Sequence, residues 1–168
     1  EERAGAEAAV ESAHAHALRH REQGAHGADG QDEQRAVRAR GEPDEQGVFQ
    51  HDEVLYETFG YRDTHGMCNS LTRGLDGWVY ACHGFANTSH IRGDDEQEIV
   101  MHSGNTWRMR PDGSHCEQWT HGQVNPFGLA WDPWGNLYSA DCHTKPLYML
   151  LRGAYYPSFG KPHDGLGF

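Results

Sequence analysis

The sequence is most informative first in what it lacks. Its 168 residues contain no stretch approaching the ~20 apolar residues of a membrane-spanning helix. Lysine occurs only at Lys145 and Lys161, and 14 basic residues stand against 25 acidic ones, for a formal net charge of -11. Such a surface repels phosphate backbones and anionic lipid, which argues against nucleic-acid and membrane-surface binding. No Gly-rich phosphate loop, Walker motif, G-x-S-x-G elbow or H-E-x-x-H run appears, so the common signatures of nucleotide, serine-hydrolase and zinc-protease chemistry are missing. Neither Cys-His pair has the upstream cysteine that covalent haem attachment needs. No apolar segment followed by a small-residue cleavage site marks a signal peptide.

Residues 1 to 47 lack Phe, Trp, Tyr, Ile, Met and Cys altogether; their only large aliphatic side chains are Val10, Leu18 and Val37. With 11 acids and 6 arginines they bury too little apolar area to offset chain entropy. The composition predicts disorder, or a solitary helix over Ala6 to Gln23 where helix formers concentrate. His14, His16, His20 and His26 are candidate metal ligands, with His16 and His20 at i, i+4 on one helix face, but no further ligand joins them. The expected division is therefore 1–47 outside the fold and 48–168 within it.

All 18 aromatic residues and all four cysteines lie after Gly47. There, short β-branched and aromatic runs alternate with turn signals at Asp76-Gly77, Asp112-Gly113 and Trp134-Gly135, each placing glycine where positive φ is needed. Nine strands are predicted: 53–58, 70–73, 78–83, 98–102, 106–110, 115–120, 128–131, 136–140 and 147–152. Residues 105–120 read as an outer hairpin, and the polar stretch 87–98 as a surface loop. Ser70 to Gly84 repeats at an offset of 58 in Gly128 to Cys142, with Leu71, Gly77, Val79 and Tyr80 matching Leu129, Gly135, Leu137 and Tyr138. Strand, glycine turn, strand with a fixed tyrosine is how propeller blades repeat. The expected fold is all-β, a partial β-propeller of two to three blades from a probable six. The pattern also allows a β-sandwich. Open blade edges would leave such a piece inactive and marginally stable.

Three blocks carry a family resemblance: DTHGMCN (63–69), DGWVYACHGFANT (76–88) and the long run from Gln123 to Phe168. They resemble the membrane-bound dehydrogenase domain, which is similar to the glucose and sorbosone dehydrogenases with six-bladed propellers. The resemblance implies a quinoprotein-like oxidation of a sugar or alcohol with PQQ and Ca²⁺, in a periplasmic or other extracytoplasmic setting. It further implies a cytochrome c electron acceptor, with haem c on a separate domain. His65, ahead of the first repeat unit, matches the family's general base, and Asp63 is placed to orient its ring. Asn125, Asp141, His143 and Lys145 fall where relatives bind the cofactor. The sequence departs from the family in having Val124 where an arginine precedes the Asn-Pro pair, and Asp141 to Lys145 where a Glu-x-Gly-Pro run supplies Ca²⁺ ligands. Lys145 and Arg152 are the remaining local sources of charge for an anionic quinone.

The second reading is a non-catalytic propeller that binds carbohydrate or protein through its loops. Cys82-His83 and Cys142-His143 fall two residues out of step in the repeat, a pattern that either a metal site or plain packing satisfies. The four cysteines allow three disulfide pairings. Trp107, Trp119, Trp131 and Trp134 are candidates for a sugar-stacking platform or for blade packing. The Gly- and Pro-rich tail after Ala154 reads as a loop over a pocket, bearing His163 and Asp164 as lesser site candidates.

Overall fold

The computed structural model describes residues 36–41 and 43–157. Twelve strands run in chain order: β1 (Val37–Arg40), β2 (Asp52–Tyr56), β3 (Asn69–Arg73), β4 (Val79–His83), β5 (Thr88–Arg92), β6 (Glu98–His102), β7 (Asn105–Met109), β8 (Cys116–Gly122), β9 (Asn125–Trp131), β10 (Leu137–Cys142), β11 (Leu147–Leu150) and β12 (Tyr155–Tyr156). The fold is all-β. Among the described residues no helix is long and apolar enough to cross a membrane.

The centre is the antiparallel order β3-β4-β7-β8, with β12 added in parallel along β8. All five residues of β4 and all five of β7 are buried. Side chains of a strand alternate between faces, so this sheet must be covered on both sides. One face presents Val79, Ala81, Trp107, Met109 and Cys116 to Tyr56 and Phe59, and to Ile91 and Met101 of the β5-β6 hairpin. The other presents Trp78 and Tyr80 to Leu137 and Leu150 of the β9-β10-β11 sheet, with Trp119, Leu129, Trp131 and Tyr148 completing the layer. Successive antiparallel sheets stacked face to face are the packing of propeller blades, although the described sheets do not close a ring.

The second face also buries a charge. The Arg108 guanidinium lies 4.0 Å from the Trp78 ring centroid and 4.5 Å from that of Trp119. It bonds the Asp76 carboxylate and the Tyr80 hydroxyl through Nη1, at 2.9 and 3.1 Å, and pairs with Glu117. Stacking on two indoles and pairing with two carboxylates offset its desolvation.

The repeated units share their turns bond for bond. Gly74 N–H donates to Trp78 O and Gly77 N–H to Gly74 O; 58 residues on, Asp132 donates to Asn136 and Gly135 to Asp132. Gly77, Gly113 and Gly135 hold φ of 81°, 85° and 85°, as the turn signals require. The same bonds recur at Asp44, Gly47 and Val48. Asp44 Oδ1 accepts from the Val48 and Gln46 amides, which holds its carboxyl below the usual range.

Three expectations need correction. The fold includes Val37 to Arg40, upstream of the expected boundary at Val48: β1 pairs with β2, and Asp52 accepts from Arg38 and Arg40 at 2.8 and 3.3 Å. Backbone pairing and ion pairs build this strand with Val37 as its one apolar contribution to the core, so a composition count passes over it. The stretch 87–98 is not simply a loop, because β5 buries Ser89 and Ile91 while exposing Thr88, His90 and Arg92. The tail is not entirely loop either, since Tyr155 and Tyr156 pair with His121 and Gly122. The histidines of the first 26 residues, the solitary helix, His163 and Asp164 lie outside the described residues.

Trp107 is fully buried at the centre of the first layer, whereas Trp134 is 85% exposed. Trp107→Ala is expected to cost about 3–5 kcal/mol of unfolding free energy, and Trp134→Ala under about 0.5 kcal/mol. Urea unfolding of the two variants checks this contrast.

Candidate functional site

A cleft of about 780 Å³ opens where three chain segments meet: Arg62 to His65 after β2, Phe85 to Thr88 between β4 and β5, and His102 with Ser103 at the end of β6. Two of its lining residues, Ala86 and Ser103, hold φ of 58°, a left-handed conformation uncommon for residues other than glycine. Backbone held this way concentrates at functional sites.

Asp63 and His65 form a dyad on one wall. Asp63 Oδ1 lies 3.2 Å from His65 Nδ1 and accepts the His65 amide at 2.9 Å. A carboxylate only accepts, so Nδ1 carries a proton, and in the neutral ring Nε2 is left as an acceptor. The His65 side chain is 91% exposed, so that nitrogen is open to a ligand.

The dyad is held from beneath by Asn87, which is 1% exposed. Its Oδ1 accepts the Asp63 amide at 2.9 Å, and its Nδ2 donates to the carbonyls of Asp63 and Gly66 at 2.8 Å each. Gly66 and Gly84 then touch backbone to backbone. A Cβ on Gly84 would lie 2.3 Å from Asn125 Oδ1 and 2.6 Å from Gly66 Cα, so only glycine fits.

Behind Asn87 sits His83, 1% exposed. Its Nδ1 is 2.6 Å from Ser103 O, a pure acceptor, so Nδ1 donates; Nε2, 2.7 Å from Ser89 Oγ, therefore accepts the hydroxyl proton. Ser89 Oγ in turn accepts the Gly60 amide at 2.8 Å. Burial pushes the His83 imidazole below its ordinary range, against the partial opposition of the Ser103 bond.

Of the residues expected to bind cofactor, Asn125 and Asp141 join this network, whereas His143 and Lys145 are not among the cleft's lining residues. Asn125 donates to His65 O at 3.3 Å and accepts the Phe85 amide at 3.2 Å. Asp141 is 5% exposed, and its two oxygens accept the Val124 and Asn125 amides at 3.1 and 3.0 Å. His143 and Lys145 lie exposed on the turn after β10 and do not line the cleft. Arg152, the other expected source of charge, instead pairs with Glu117 at 2.8 Å.

These placements do not fit an anionic tricarboxylate quinone. The amide of Asn125 and the carboxylate of Asp141 are spent on the chain itself, and the cleft's one cationic side chain, Arg62, is matched by Asp63. A Ca²⁺ ion needs six to eight oxygen ligands. Among the described residues no group of three or more His, Cys, Asp or Glu side chains could hold a metal ion. The Cys-His pairs do not make one either, because adjacent residues on β4 send Cys82 and His83 to opposite faces. All four cysteines are free thiols, and burial pushes that of Cys68 up to about 12. Trp107, Trp119 and Trp131 are packing residues between the sheets rather than a stacking platform.

Sequence reasoning missed Asn87, His102 and Ser103. Asn87 and Ser103 carry no motif of their own and are defined by the backbone groups that the fold brings to them.

The His83 pKa gives a signed prediction. An imidazole lowered in the folded state binds fewer protons there than in the unfolded chain, so its contribution is full above about pH 6.5 and falls away below it. Wild type should lose stability relative to His83→Gln as pH drops from about 7 to 5, measured by urea midpoints. Asn87→Ala should remove about 1–3 kcal/mol, because it strands the Asp63 amide and takes one of two bonds from each of the Asp63 and Gly66 carbonyls, measured the same way at neutral pH.

No curated protein and no solved structure matches the chain. Residues 37–164 match the model of the family described as a domain of unknown function, DUF7133, which takes in β1 and every later strand. The chain belongs to the DUF7133 family.

Proposed function

We propose that the cleft binds a sugar or other small alcohol, and that His65 takes the hydroxyl proton when that alcohol is oxidised. The Asp63–His65 dyad carries this reading: its carboxylate fixes the tautomer and leaves Nε2 as an exposed acceptor on the wall of a cleft. Asn87 and Gly66 hold the dyad so that little reorganisation accompanies binding. Oxidation also requires a two-electron acceptor. For that acceptor the resemblance implies a quinone of the PQQ class, followed by a cytochrome c, in a protein working outside the cytoplasm; the lining of this cleft does not fit such a quinone. The protein's own residues supply the proton acceptor and the ligand contacts; the groups that would hold such a quinone are not found at the cleft.

That last point favours a second reading, a non-catalytic domain that binds carbohydrate through the same cleft. A dye-linked oxidation assay with added PQQ and Ca²⁺, run on sugars and alcohols, separates the two. The catalytic reading expects turnover that falls at least about 100-fold in His65→Ala. Turnover unaffected by that change would overturn the role of His65, and binding without turnover would establish the second reading.

A further inference from the structure

The stack of sheets ends differently on its two sides. On the β5-β6 hairpin, alternation turns Ile91 and Met101 into the core and sends His90, Arg92 and Glu98 outward, where Glu98 lies 3.7 Å from His90 and 3.6 Å from Arg92. On the other side, Leu137, Ser139 and Leu150 of the β9-β10-β11 sheet are buried, so the alternate residues form its outer face. The pairing register sets these in two rows, Ala130-Tyr138-Met149 and Gly128-Ala140-Leu147, each running from β9 across β10 to β11. None of the six is charged, and Leu147 and Met149 are 60% and 45% exposed. Stacked repeats finish their ends with a polar outer face, which the β5-β6 side has and this side lacks. The free edge of the same sheet is closed. The Tyr156 hydroxyl accepts the Leu151 amide and donates to the Met149 carbonyl, both at 2.7 Å, and so takes the groups with which an added strand would pair. The sheet is open to a partner by its face and not by that edge.

We propose that this outer face is the contact surface between two copies of the chain, which pair face to face about a two-fold axis running along β10. Such an axis lays β11 of each copy over β9 of its partner. Leu147 and Met149 then stand over Gly128 and Ala130 in both halves of the contact, large side chains over small ones. With the axis across the strands, β11 would lie over β11 and the large residues would meet each other. Charge points the same way: at a formal net charge of -11 two copies repel over most of their surface, and this face brings no like charges together. Head-to-tail stacking, which would grow into a filament, is disfavoured because it would bury Arg92 and Glu98 against an apolar sheet. Three strands at a spacing of ~4.8 Å make a small interface, so the pair is a weak dimer in exchange with the monomer.

The test is sedimentation equilibrium of the full chain between about 5 and about 500 µM. The weight-average mass is expected to rise from that of one 18.9 kDa chain toward that of two, and no further. Met149→Glu, which places a carboxylate in the contact, should weaken association at least about tenfold. Val100→Glu adds the same charge on the outer face of the β5-β6 hairpin and should leave association unchanged. Ala130→Leu fills the space over which Met149 of the second copy stands and should also weaken the pair. Combining it with Met149→Ala exchanges large and small residues across the axis and should restore part of the loss. These positions are all exposed, so the urea midpoint of each variant, expected close to that of wild type, confirms its folding. A mass that stays at one chain over the whole range, as when the face serves a different protein, overturns the proposal, and so does assembly beyond two chains. Dimers indifferent to both Met149→Glu and the exchange would place the contact elsewhere and overturn it as well.

Discussion

The burial of both faces of the central sheet is the constraint from which the rest of the structure follows. β4 and β7 expose nothing along their length, so every alternate side chain must find a layer to enter. Tyr56, Phe59, Ile91 and Met101 meet one face, and Trp131, Leu137 and Leu150 meet the other. The chain supplies those layers before β3, between β4 and β7, and after β8. That sets the order of the domain and makes the β5-β6 hairpin a part of the core rather than a decoration.

The cleft grows out of the same constraint. Where β4 ends, alternation sends His83 toward the β5-β6 hairpin, where a buried charge is costly and a neutral ring with two partners is not. His83 fixes Ser103, Asn87 fixes the loop of Asp63, and the contact of Gly66 with Gly84 leaves no slack between the loops. Asp141 and Asn125 perform the corresponding service on the side of β9 and β10. Asn125 and Asp141, two of the four residues that the resemblance implies as cofactor ligands, thus have a prior engagement in holding backbone, and the open chemistry is left to His65.

Much of the fold was legible because hydrophobic alternation and Asp-Gly turns are local signals. All nine predicted strands have counterparts, and β6 runs from Glu98 to His102 as expected. β1 escaped because ion pairing and backbone bonds do most of its work, and β12 because a two-residue parallel strand has no pattern of its own. The site was legible only in part. Asp63 and His65 are two apart in sequence and meet locally, whereas Asn87 reaches Asp63 across 24 residues and Asn125 reaches His65 across 60. Long-range hydrogen bonds of this kind leave no periodicity to read. Tyr80 and Tyr138 show both the strength and the limit of the repeat: each bonds the carboxylate of a turn aspartate, yet only Tyr80 is fully buried, because its face meets another sheet.

The central claim is that the cleft loops are anchored in the doubly buried sheet and do not move as independent surface loops. Native-state amide hydrogen exchange resolved by NMR tests it most directly, comparing Asp63, Phe85 and Ser103 with Trp107 at the core. The account predicts that the Asp63 and Ser103 amides, bonded to Asn87, and the Phe85 amide, bonded to Asn125, exchange with protection close to that of Trp107. Exchange of these three amides at the rate of an open loop, with Trp107 still protected, would contradict it.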